Sequence, residues 1–129
     1  MLAIVIDDSS TMRRIIRRVL TRLGFSVYEA AHGQEALDLL DEIPTTPDVA
    51  LVDWNMPVMD GLEFIRRVRK TDGMREMCLM MVTTESEQSK VVRALAAGAH
   101  EYVIKPFTPE TIHEKLLYMG LDCHPVGDD

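Results

Sequence analysis

Short apolar runs alternate with longer stretches of helical spacing along the whole of this 129-residue chain. Leu-Ala-Ile-Val-Ile, Val-Ala-Leu-Val, Leu-Met-Met-Val and Tyr-Val-Ile are too short for helices. They are also almost unbroken in hydrophobicity, as strands are when both faces of a sheet are covered. Strict alternation of this kind is the pattern of βα units and a parallel sheet. Parallel strands end on one edge, and ligands bind in the crevice outside those carboxyl ends. The residues that follow the runs are Asp7-Asp8, Asp53, Thr83 and Lys105-Pro106. A sheet built from these runs brings three carboxylates, one hydroxyl and one ammonium to a single place. That is chemistry for a divalent cation and a phosphoryl group.

The spacing predicts strands over 2–6, 25–29, 49–52, 77–82 and 102–104. Met12, Ile15, Ile16, Val19, Leu20 and Leu23 recur at helical spacing over 10–23, and Gly24 stands at the stop position. A short helix spans 34–42, with Pro44 and Pro47 bracketing the loop after it. Asp60-Gly-Leu-Glu63 has the spacing of a capping box and opens a helix to about Lys70. Thr84-Glu-Ser-Glu87 has the same spacing and predicts a helix running to Ala97, ended by Gly98. Thr108-Pro109 is a cap followed by proline at the first helical position, and that helix reaches about Met119. The expected organisation is one domain over 1–120 and a loose C-terminal tail over 121–129. The fold class is α/β, a doubly wound five-stranded sheet with five helices and right-handed crossovers.

Composition excludes several classes. The formal net charge of −7 argues against direct nucleic-acid binding, which needs basic surface. No apolar run approaches the ~20 residues that span a bilayer, so no membrane insertion is expected. Cys78 and Cys123 form no CxxC pair, which argues against a zinc site or disulfide framework and fits a cytoplasmic protein. Cys78 reads as a small buried hydrophobe, and the methionines as core filler. His32, His100, His113 and His124 match no donor motif and read as structural or surface residues.

Two readings of Asp7-Asp8 compete. The pair can cap the following helix, although Ser9 and Ser10 are equally good caps. Side by side, however, two like charges repel unless a cation lies between them. Mg²⁺ suits such a place, since it takes one or two carboxylates and keeps several waters; Mn²⁺ is a substitute. Asp53 adds a carboxylate, and the Asn55 backbone carbonyl a neutral oxygen. Asp53 is also the candidate nucleophile, since a carboxylate can attack phosphorus and become an acyl phosphate. Its charge must then be neutralised, by the metal and by Lys105. Thr83 is placed to donate to a phosphoryl oxygen. Lys105-Pro106 is a candidate cis bond.

Asp7-Asp8, Asp53-Trp-Asn-Met-Pro57 with Met59-Asp60-Gly61, Val82-Thr83, and Tyr102-Val-Ile-Lys105-Pro106-Phe107 together resemble the receiver domain of two-component response regulators. The likeness covers about residues 2–118 and is nearest to the CheY-like single-domain type. It implies a flavodoxin-like strand order of 2-1-3-4-5 and a chain that is no conventional enzyme, with at most self-phosphorylation and self-dephosphorylation. It implies that Asp53 takes a phosphoryl group from a sensor histidine kinase or a histidine phosphotransfer protein. It further implies Mg²⁺ at Asp8, Asp53 and the Asn55 carbonyl, with Asp7 acting through water. Tyr102 would turn inward as Thr83 moves toward the phosphoryl group. That would change contacts of the helix 4–strand 5–helix 5 face with an unidentified output protein.

The chain departs from that pattern in places. Thr84 is bulkier than the usual small residue and narrows access to Asp53, whereas Asn55 and Glu85 match positions that tune dephosphorylation toward a short signal. The two cues oppose each other. Glu87-Gln88 stands where the chemotaxis type has a lysine pair, so the output target is expected to differ from the flagellar motor. Arg13, Arg14, Arg17 and Arg18 on the first helix are either a solvated face or a kinase-docking patch. Alternatives that stay open are a phosphorelay intermediate and the excised receiver of a larger regulator. A Mg²⁺-dependent phosphatase is disfavoured by Asn55 two residues beyond Asp53, where a second acid would be needed. A binding-only pseudo-receiver is disfavoured by the intact polar set.

Overall fold

Five parallel strands form a sheet in the order β2-β1-β3-β4-β5 in a computed structural model that describes residues 1–127. The strands are β1 (Leu2–Ile6), β2 (Ser26–Ala30), β3 (Val49–Val52), β4 (Cys78–Thr83) and β5 (Glu101–Ile104). The helices between and after them are α1 (Ser10–Arg22), α2 (Gly33–Glu42), α3 (Gly61–Arg69), α4 (Gln88–Ala97) and α5 (Pro109–Tyr118). Strand side chains alternate between two cores, as the period of a strand requires. Ile4, Val52, Leu79 and Met81 face Phe64, Ile65 and Val68 of α3 and Ala94 of α4. Val5, Leu51, Met80 and Val103 face Ile16 and Leu20 of α1 and Ile112 and Leu116 of α5. Helices α1 and α5 therefore share one face of the sheet.

Register decides what meets at the carboxyl edge. Ile6 pairs with Val52, and Val52 with Met81. Asp7 and Asp53 are the next residues on β1 and β3, and the Asp53 N–H donates to the Ile6 carbonyl at 2.9 Å. Thr83 pairs with Ile104, and the Lys105 N–H donates to the Thr83 carbonyl at 2.8 Å. The Lys105-Pro106 bond is cis.

Caps follow the sequence reading in three helices. Ser9 accepts from the Met12 N–H, Asp60 from the Glu63 N–H and Thr108 from the Thr111 N–H. Because Ser9 takes the α1 cap, neither aspartate of the acidic pair is needed there. The Thr84–Glu87 capping box does not form. Instead α4 starts at Gln88, after Glu87, which makes no side-chain cap bond. The backbone between Thr84 and Glu87 is tied elsewhere: the Glu85 N–H donates to the Thr83 hydroxyl at 3.3 Å and the Tyr102 hydroxyl donates to the Glu85 carbonyl at 2.6 Å, which keeps residues 84–87 as a loop.

Cys78 is half-buried at the start of β4, not fully enclosed. Histidines take structural work. His32 caps α2 by accepting from the Glu35 N–H, and His100 Nδ1 accepts from the Leu79 N–H at 3.1 Å. After α5 the chain makes contacts with the rest of the domain as far as Val126. Cys123 is buried, its carbonyl lies 2.6 Å from His113 Nε2, and the Val126 N–H donates to the Arg22 carbonyl at 2.7 Å. The Val126 bond satisfies a carbonyl at the end of α1, and the apolar Leu121 and Cys123 join the core. The last two residues of the expected tail lie outside the described residues.

Candidate functional site

At the carboxyl edge Asp7, Asp8 and Asp53 each offer a carboxylate oxygen, all within 4.8 Å of one another. Asp7 and Asp53 are buried, and Asp8 is exposed. Asp7 Oδ1 accepts from the Ser9 N–H at 2.9 Å, and Oδ2 accepts from Lys105 Nζ at 2.8 Å. The same ammonium lies 3.4 Å from Asp53 Oδ2. One lysine thus spans the two buried carboxylates from the end of β5. Burial pushes the Asp53 carboxyl above its usual range, with nearby Asp7 acting in the same direction. The Thr83 hydroxyl and the Lys105 charge pull it back. Excess negative charge on acids of which one reaches solvent is what a hard divalent cation with retained waters requires.

The loop from β3 to α3 fits against Asp53 because of Gly61. Its N–H donates to the Trp54 carbonyl at 2.9 Å, and a Cβ there would strike the Asp53 carbonyl. The sequence reading used Gly61 only as part of a cap and a motif. In the same loop Val58 has φ of 67°, and the Met59 N–H donates to the Pro57 carbonyl at 2.7 Å. This is a γ-turn in the left-handed region, which is costly for a β-branched side chain.

Thr83 is fully buried beside Asp53, whereas Thr84 is exposed. The Tyr102 ring is half-buried, and its hydroxyl donates to the Glu85 carbonyl at 2.6 Å. Asn55 Nδ2 donates to Glu85 Oε1 at 2.8 Å. Four of the five α1 arginines divide into two pairs. Arg13 Nη1 donates to the Asp7 carbonyl at 2.6 Å, and Arg13 and Arg17 both pair with Glu29. Arg14 and Arg18 are exposed.

The family described as "Response regulator receiver domain" matches residues 3–117. The chain belongs to the response regulator receiver family. This receiver is 48% identical to "Chemotaxis protein CheY1" of Helicobacter pylori over 114 residues, covering 88% of this chain and 91% of the relative. It is 51% identical to "Chemotaxis protein CheY homolog" of Campylobacter jejuni, over 88% of this chain and 87% of that one. Among solved structures, Vibrio cholerae chemotaxis protein CheY4 superimposes with a TM-score of 0.84 at 35% identity, covering 92% of this chain and 97% of that one. The receiver has the 2-1-3-4-5 sheet of those structures. It is a response regulator of two-component signalling, with a divalent-cation site at its acidic cluster and a histidine kinase or phosphotransfer protein as its counterpart. Among the described residues no helix is long and apolar enough to cross a membrane.

Proposed function

We propose that Asp53 is the phosphoacceptor, that the cation is Mg²⁺, and that the receiver carries signal by changing its protein contacts. The observation behind this is Lys105 Nζ lying 2.8 Å from Asp7 and 3.4 Å from Asp53 at a three-carboxylate edge. An Asp53 oxygen attacks phosphorus of a phosphohistidine, the N–P bond breaks, and its electron pair returns to the imidazole. Asp8, Asp53 and the Asn55 carbonyl would hold Mg²⁺, with Asp7 through water; Mn²⁺ is a substitute. The cation supplies positive charge against the transferring phosphoryl oxygens. Lys105 supplies the fixed ammonium, and Thr83 donates its hydroxyl to a phosphoryl oxygen. Thr84 borders the entrance.

Tyr102 couples the site to the α4–β5–α5 face, where Val92, Leu95 and Ile104 are exposed apolar residues. The output partner binds there, and it differs from the flagellar motor because acidic Glu87 and neutral Gln88 stand at the entry to α4. Any enzymatic activity is limited to self-phosphorylation and self-dephosphorylation. We also infer a cytoplasmic setting, supported by the two free thiols.

Acetyl phosphate with Mg²⁺ should add one phosphoryl mass to the wild type and none to Asp53→Asn. Beryllofluoride should change the fluorescence of the adjoining Trp54 in the wild type alone. Equal mass gain in both proteins would overturn Asp53 as acceptor.

A further inference from the structure

Two loops rise beyond the strand ends that carry Asp53 and Thr83, and a line of polar side chains joins them to α4. Asn55 is two residues past Asp53, and Glu85 two past Thr83. The Asn55 amide donates to Glu85 Oε1 at 2.8 Å, and Lys90 Nζ donates to Glu85 Oε2 at 2.9 Å. Both oxygens of the carboxylate are therefore engaged. The Lys90 and Glu85 side chains keep only 29% and 23% of their exposure, so this pair is sheltered compared with an ordinary solvated one. Lys90 Nζ also stands 5.8 Å from the ring centroid of buried Trp54, which fixes the ammonium from a second side.

Hydrolysis of an acyl phosphate gives this arrangement a role. A water oxygen bonds to phosphorus as the bond from phosphorus to the Asp53 oxygen breaks. The electron pair returns to the carboxylate, and the water proton leaves to the released phosphate or to solvent. A free carboxylate two residues past Thr83 can orient that water by accepting its hydrogen. Held on both oxygens, Glu85 is turned toward Asn55 and Lys90 and is not free to swing to that water. We propose that Lys90 is a positioning residue that prolongs the life of phosphoryl-Asp53 by locking Glu85 against Asn55. The inference rests on Asp53 as acceptor and extends that reading to a residue of α4.

The test is to load the protein with acetyl phosphate and Mg²⁺, remove the donor, and follow the loss of phosphoryl mass. Wild type, Lys90→Met, Lys90→Arg, Glu85→Gln and the Lys90→Met/Glu85→Gln double variant are compared. Lys90→Met, which keeps an apolar stem beside Trp54, should lose the phosphoryl group about two- to five-fold faster, the scale of one ion pair. Lys90→Arg should decay at nearly the wild-type rate, and Lys90→Met should add little in the Glu85→Gln background. Before loading, Trp54 emission should shift in Lys90→Met and less in Lys90→Arg. Decay of Lys90→Met at or below the wild-type rate overturns the role of Lys90, as does an equal acceleration in the Glu85→Gln background. Absence of any mass gain in the wild type overturns the acceptor reading, and this inference with it.

Discussion

Asp53 is held in a place that disfavours its charge. Burial raises its pKa, and the Thr83 hydroxyl and Lys105 only partly offset that. The unfolded chain releases this proton near the ordinary Asp value of about 4. A raised folded pKa means the native state favours the neutral acid, so stability falls as pH rises through that region toward neutrality. Asp53→Asn removes the ionisation and leaves Lys105 its 2.8 Å partner Asp7. With metal chelated, the variant should therefore unfold at higher urea than wild type at pH 7, the gap closing below about pH 4. A midpoint at pH 7 no higher than that of the wild type would contradict the burial argument. Asp7, Asp8, Asp53, Thr83 and Lys105 were legible in the sequence because each follows an apolar run. The Asn55–Glu85 bond and its Lys90 partner were not, because a side-chain contact between separate loops leaves no periodic mark.

Among the helices, α4 has the thinnest attachment. Ala94 is its one buried residue, whereas α3 buries Gly61, Leu62, Phe64, Ile65 and Val68. It also starts without a side-chain cap, since Glu87 occupies the position and makes no such bond. Few buried apolar groups and an uncapped start place a helix at the low-stability end of a fold. Glu87→Ser supplies the missing acceptor and should add about 1 kcal/mol to unfolding free energy, read from urea denaturation. No gain would mean that the first turn is already satisfied by other groups. The strands and the well-capped helices were readable because pattern and cap agreed. The α4 start differs from the expectation because the spacing of Thr84 and Glu87 does not reveal that the Glu85 backbone between them is tied to Thr83 and Tyr102.

At the scale of the molecule, α1 and α5 lie on one face of the sheet, and the basic residues of α1 divide between structure and solvent. Arg13 and Arg17 are bound to Glu29, while Arg14 and Arg18 are free to meet a partner. If they steer an acidic kinase surface, Arg14→Ala/Arg18→Ala should slow phosphoryl transfer from the kinase, most at low salt. Loading from acetyl phosphate should remain at the wild-type rate; equal losses with both donors would exclude docking. The sheet order has a consequence for biosynthesis as well. Asp7 and Asp53 come from neighbouring strands early in the chain, but Lys105 follows Asp53 by 52 residues. At about 5–20 residues per second, several seconds of translation separate the acids from the ammonium that lies between them. The nascent chain passes through an interval in which its acidic pocket has no lysine of its own, so phosphoryl acceptance must wait until β5 has been made and docked.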